Sequence, residues 1–203
     1  FQLMVQLENL DILRNMADTT KAIAVGEVLQ LTRAGDADTS EAQYLDVITR
    51  KTAILFAAAC SGAATIAGKD RETRRAMHAF GLNLGIAFQM IDDVLDYEGD
   101  PATMGKNVGD DLTEGKPTLP LIYTLQTGTA EEQSLVRSAI TEKSAQRIDE
   151  VLAAVTRCGA LADTRQQAVH DQGLASARLA ELGDSAARTA LQRVTDLSVN
   201  RDH

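Results

Sequence analysis

Apolar residues recur at helical spacing along almost the whole chain, and no strand-like alternation of apolar and polar positions persists anywhere. Leu7, Leu10, Ile12, Leu13, Met16, Ile23, Val25, Val28 and Leu29 predict a helix over residues 3–33, stopped by Gly35 and a polar Asp/Thr/Ser loop. Thr39-Ser40-Glu41-Ala42-Gln43 carries a capping signal and predicts the start of a second helix reaching about Gly68. A third is expected from about Arg71 to Tyr97. Residues 98–118 are rich in Gly and Pro and read as irregular. Shorter helices are then expected at roughly 118–127, 130–141, 144–157, 160–182 and 184–200. No repeat period is apparent, and the sum is an all-α bundle.

The third helix departs from the ordinary surface pattern. At about 100° of rotation per residue, Gly81, Gly85, Gln89, Asp92, Asp93 and Asp96 fall within about one third of its circumference. The rest of it is almost wholly apolar, with Leu84, Ala87, Phe88, Met90, Ile91, Val94, Leu95 and Tyr97. A surface helix shows the reverse balance. Three carboxylates on a helix suited to an interior are expected to line a polar cavity, and a divalent metal is the natural counter-charge. Gly81 and Gly85, on the same stripe, are expected to leave room there for a ligand.

Composition narrows the classes. The 203 residues are long enough for one large core, and one domain spanning residues 1–203 is expected. Aromatics are 3% and tryptophan is absent, which favours packed helices over sheets. A net charge of −9 argues against nucleic acid as a partner. Cys60 and Cys158 share no metal-ligand spacing, and a reduced, cytoplasmic chain is expected. His78, His170 and His203 are too scattered for a zinc site. The uncharged run from Thr52 to Gly68 is rich in small residues and reads as a bundle helix; no transmembrane segment is expected.

Magnesium takes one or two carboxylates and completes its shell with water and phosphate oxygens. Asp92 and Asp96, one turn apart, can address the same ion or adjacent ones, with Asp93 in support. A phosphate-bearing ligand also needs protein cations. Lys106 and Lys116 each follow a glycine in the irregular segment just after the aspartates. Lys51, beside Thr52, stands at the edge of the uncharged run; it either reaches solvent or serves a phosphate as a point charge, and spacing does not choose. Asp110-Asp111-Leu112-Thr113-Glu114 reads first as a short helix with its N-terminal cap, and second as a metal group.

The wording of these segments is specific. Phe88-Gln89-Met90-Ile91-Asp92-Asp93-Val94-Leu95-Asp96-Tyr97, then Gly105-Lys106-Asn107-Val108-Gly109-Asp110-Asp111-Leu112 and Glu114-Gly115-Lys116-Pro117-Thr118-Leu119-Pro120, resembles the second aspartate-rich region of the trans-isoprenyl diphosphate synthases. Gly26-Glu27-Val28-Leu29-Gln30-Leu31 and Lys51-Thr52-Ala53 match that family too, and the wording is most similar to its long-chain, octaprenyl-type members. The resemblance implies an isoprenoid-synthase bundle of antiparallel helices, usually homodimeric. It implies Mg2+-dependent condensation of isopentenyl diphosphate with an allylic diphosphate. Asp92, Asp93 and Asp96 would be the metal residues, and Lys51, Thr52, Gln89, Lys106 and Lys116 would serve the allylic diphosphate or stabilise the site. The reaction also requires a dry apolar wall, since water quenches an allylic cation.

One departure from the family pattern stands out. Its first aspartate-rich motif, with the basic residues for isopentenyl diphosphate, has no counterpart here, and the chain opens at Phe1 already in helical pattern. The sequence is therefore expected to be the C-terminal portion of a family member, without the N-terminal helices and inactive by itself. A non-catalytic partner subunit and a terpene cyclase of the same cation chemistry are the alternatives.

Overall fold

The computed structural model of the chain describes residues 2–98 and 108–201. Every regular element among them is helical: α1 Gln2–Val5, α2 Leu10–Arg33, α3 Glu41–Ile48, a π-helical turn Thr49–Ala53, α4 Ile54–Ile66, α5 Arg71–Glu98, α6 Asp110–Thr113, α7 Leu119–Thr127, α8 Ala130–Glu142, α9 Ile148–Arg157, α10 Ala160–Ala180 and α11 Ala186–Val199. The expected all-α architecture is present.

Local chemistry explains most boundaries. Ser40 caps α3 through the amide of Gln43, whose side chain returns the bond, as the capping signal predicts. Thr129 and Glu132 repeat the device at α8. The expected helix 3–33 is instead broken. Asn9 accepts from the amides of Asp11 and Ile12 and so starts α2 afresh, while Glu8 sits at a φ of 48°. The expected second helix is continuous from Glu41 to Ile66 but carries the π turn at its middle. That helical run is long and apolar enough to cross a membrane by length and composition alone. It packs here against α2 and α5.

α5 is the axis of the molecule. It lies chiefly against α4 on one side and α10 on the other. Phe80, Ala87, Met90, Ile91 and Val94 are fully buried along it. Phe80 and Leu84 pack with Ala175 and Leu179 of α10, and Met90, Ile91 and Leu95 pack with Tyr44, Ile48, Leu119 and Ile122. Val94 and Tyr97 join Leu121, Ile140, Val151 and Val155 in a third cluster. α5 is thus held on several sides by hydrocarbon, which fixes its rotation and hence the direction of its acidic stripe. α2 is different: Leu10, Val28 and Leu31 are exposed, and its apolar spacing is only partly used for packing within the chain.

Candidate active site

Three glycines bring the walls of the site together. A Cβ at Gly81 would lie 2.4 Å from the Phe56 carbonyl oxygen, and one at Gly85 would lie 2.6 Å from Ala53 Cα. At Gly26 on α2 it would lie 2.7 Å from the backbone nitrogen of Lys51. These contacts are too close for any side chain, so α5 meets α4 and the π turn, and α2 meets the π turn, backbone to backbone. The expectation that Gly81 and Gly85 open space for a ligand is therefore corrected: that half of the stripe is filled by the chain itself. The close approach seats the π turn, from which Lys51 and Thr52 reach a cavity. Single π turns inside α-helices are frequent at functional sites.

The cavity, of about 370 Å³, opens beside the other half of the stripe. Gln89, Asp92, Asp93 and Asp96 line it from α5, Lys51 and Thr52 from the π turn, and Asp111 and Lys116 from the segment around α6. Val47, Ile48, Leu95, Val108 and Pro117 supply its apolar part. All the predicted site residues except Lys106, which lies outside the described residues, are therefore brought to one cavity.

Asp93 is the most enclosed of the three aspartates, at 3% exposure. Tyr44 Oη donates to its Oδ2 at 2.7 Å, and Gln89 Nε2 donates to its Oδ1 at 3.0 Å. Thr52 Oγ1 in turn donates to Gln89 Oε1 at 2.9 Å, which orients the amide for that bond. Thr52, Gln89 and Asp93 form a relay from the π turn to α5. Burial pushes the Asp93 carboxyl up to about 8, with the Asp111 charge adding to the rise and the two donated bonds opposing it. Below that value the carboxyl is neutral on its own, and a cation brought into the cavity would favour its ionised form.

The two predicted site lysines among the described residues, Lys51 and Lys116, are held by acidic partners. Lys51 Nζ lies 2.9 Å from Glu27 Oε2 and also meets Gln30 Oε1, both on α2. Lys116 Nζ lies 2.7 Å from Asp111 Oδ1 and 2.7 Å from Glu114 Oε2. Partial burial works against the Lys116 charge, but the bonds to Asp111 and Glu114 outweigh it and hold its pKa above the usual range. Asp111 is tied to α5 as well, its amide donating to Asp96 Oδ2 at 3.3 Å. The segment 110–114 does form a short helix, but its start at Gly109 has no side-chain cap bond and Asp111 faces the cavity.

Among the described residues no three acidic, histidine or cysteine side chains gather closely enough to cage an ion. The donor set still fits magnesium, which asks the protein for one or two carboxylates and takes its remaining ligands from water and phosphate. Asp92 and Asp96 are carboxylates on the cavity wall, one turn apart on a helix fixed by its core. Sequence patterning does not reveal the roles of Tyr44, Asp111 or Arg201, whose guanidinium approaches Asp92. Asp111 is visible in its acidic run, whereas nothing local marks Tyr44 or Arg201.

A sequence model described as polyprenyl synthetase matches residues 1–157. Octaprenyl diphosphate synthase of Escherichia coli (strain K12) is 43% identical over 203 residues, all of this chain and 63% of the relative. An all-trans-nonaprenyl-diphosphate synthase of Rhodobacter capsulatus is 42% identical, over 99% of this chain and 62% of the relative. Among solved structures, a polyprenyl synthase from Caulobacter crescentus CB15, complexed with calcium and isoprenyl diphosphate, superposes with a TM-score of 0.95 at 40% identity, covering 100% of this chain and 62% of that one. A decaprenyl diphosphate synthase from Rhodobacter capsulatus gives 0.91 at 37% identity, covering 100% and 63%. The chain thus spans less than two thirds of the length of these relatives. With an all-α isoprenoid-synthase fold, and an aspartate stripe meeting lysines across one cavity, the chain belongs to the polyprenyl synthetase family.

Proposed function

We propose that the protein carrying this chain is a long-chain trans-polyprenyl diphosphate synthase, condensing isopentenyl diphosphate with an allylic diphosphate. The observation that carries this reading is the meeting of Asp92, Asp93 and Asp96 with Lys51 and Lys116 around one cavity with an apolar side. The two relatives named above are synthases of long prenyl diphosphates, which favours a long product here.

In this reading Asp92 and Asp96 hold magnesium, and Asp93 supports them from beneath. The ion supplies charge neutralisation of the allylic diphosphate as it leaves. Lys51 and Lys116 exchange their present carboxylate partners for diphosphate oxygens, so each cation enters the site already desolvated in part. Lys106 would add a third. Thr52 and Gln89 act mainly on Asp93, keeping its carboxylate turned toward the cavity. As the allylic carbon–oxygen bond breaks, the isopentenyl double bond attacks the cation, and a proton lost, by our reading, to the departing diphosphate completes the cycle. Val47, Ile48 and Leu95 hold water away from the cation.

Residues 1–203 are read as one domain of that enzyme. The exposed row of Leu10, Val28 and Leu31 on α2 supports a homodimer. We read the protein as cytoplasmic, a reading with which the two free cysteines, Cys60 and Cys158, are consistent. The test is incorporation of labelled isopentenyl diphosphate by the full-length protein with magnesium and an allylic diphosphate. Elongated prenyl diphosphate is expected. Cyclised hydrocarbon without isopentenyl incorporation would point to a terpene cyclase, and diphosphate binding without turnover to a non-catalytic partner subunit.

A further inference from the structure

Arg201, beyond the end of α11, reaches back to α5. Its guanidinium carbon lies 3.9 Å from the centroid of the Phe88 ring. Nη2 donates to the Phe88 carbonyl oxygen at 3.0 Å and approaches Asp92 Oδ1 at 3.4 Å. Two of these three contacts are to Phe88, so the cation is anchored whether or not Asp92 is engaged. Neither Arg201 nor Phe88 lines the cavity, whereas Asp92 does. The guanidinium therefore meets Asp92 from outside the set of residues that line the cavity.

The arrangement is costly for a merely structural contact. Arg201 is 21% exposed, and its Nε is buried with no hydrogen-bond partner among the described residues. Burying a cation with an unsatisfied donor disfavours the position unless the charge itself is useful there. Among the described residues the acidic group it pairs with is Asp92, a carboxylate on the cavity wall.

We propose that Arg201 is a positioning residue that compensates the charge of Asp92 without itself lining the cavity, so that the site rejects a bare divalent cation and accepts one accompanied by a diphosphate. This rests on the reading of the α5 stripe as the cation and diphosphate site, and deepens it. A fixed positive charge beside a metal-binding carboxylate repels a lone dication but attracts a metal–diphosphate complex, whose net charge is negative. It also keeps one carboxylate oxygen engaged and leaves the other for the cavity.

The test uses Mn2+ as the probe on the full-length protein, its binding followed by electron paramagnetic resonance with and without inorganic pyrophosphate. Arg201→Gln and Arg201→Met remove the charge, the second keeping an apolar stem over Phe88; Arg201→Lys keeps the charge. Both neutral variants are expected to bind Mn2+ alone about threefold or more tighter, and to lose most of the gain that pyrophosphate brings. Arg201→Lys is expected to stay near the native values. A purely structural role would lower the melting temperature without moving the ratio of the two affinities, and that result overturns the proposal. Unchanged or weaker Mn2+ binding in the folded neutral variants, or equal tightening in Arg201→Lys, overturns it too. If one neutral variant fails to fold, the other carries the comparison. Native protein that binds Mn2+ in neither condition would overturn the site itself.

Discussion

Along one face of α5, Gly81 and Gly85 meet backbone, while Asp92 and Asp96 farther along the same face meet a cavity. The two halves share a stripe and nothing else. In the first half the helix is pressed against Ala53 and Phe56, so any side chain is excluded. In the second the neighbouring wall draws back, and carboxylates stand across from Lys51 and Lys116. The first half makes the second possible, because the contact at Gly85 seats the π turn from which Lys51 and Thr52 project. A stripe of small and acidic residues therefore marks two different things, a closure and an opening, and only the facing element tells which.

The comparison breaks most severely at Asp92. Asp92→Ala in the full-length enzyme is expected to lower turnover by about a hundredfold or more, with circular dichroism and melting temperature close to native. A variant that is unfolded would move Asp92 into the closed half of the stripe. Gly81→Ala is the converse test. Forcing a methyl group against the Phe56 carbonyl is expected to cost about 1–3 kcal/mol of stability, read from chemical denaturation. A Gly81→Ala variant as stable as the native protein would mean that α4 and α5 can separate there at no cost.

How far the sequence foretells this depends on whether the signal is local. Ser40 and Gln43 cap a helix within their own turn, so the start of α3 is legible. The periodicity over 71–97 is likewise enough to orient α5 and to put Asp92, Asp93 and Asp96 on one side. Gly81 and Gly85 mislead because their meaning lies in α4 and the π turn. The π turn itself is invisible, since it depends on Gly26 lying against the Lys51 nitrogen from another helix. Asp111 reads as part of a helix start because its tie to Asp96 joins residues 15 apart in the chain, which no local signal marks. Arg201 sits 109 residues from Asp92, beyond the reach of any spacing argument.

Smaller effects sharpen the acidic half. Tyr44→Phe removes one of the two donors to Asp93 and is expected to weaken Mn2+ binding in the presence of pyrophosphate about tenfold. No change would show that Asp93 does not need that bond to support the site. The last effect is one of pH. The Asp93 carboxyl is raised from 3.8 to about 8 in the folded chain, so between those values the native state binds more protons than the unfolded one. Its contribution to stability is complete below about pH 4 and is lost as pH rises toward 8. The melting temperature without metal should therefore fall across this window relative to Asp93→Asn, and magnesium with pyrophosphate should flatten the difference. An identical pH profile in the two proteins would show that burial does not raise the Asp93 carboxyl.

The central claim is that carboxylates of α5 and lysines from two other segments form one site for a divalent cation with a diphosphate. Calorimetric titration of pyrophosphate into the full-length protein, with and without magnesium, addresses it directly. The account predicts binding that requires magnesium and is lost in both Asp92→Ala and Lys116→Gln. Pyrophosphate binding that is equally tight without the metal, or that survives both substitutions, would contradict it.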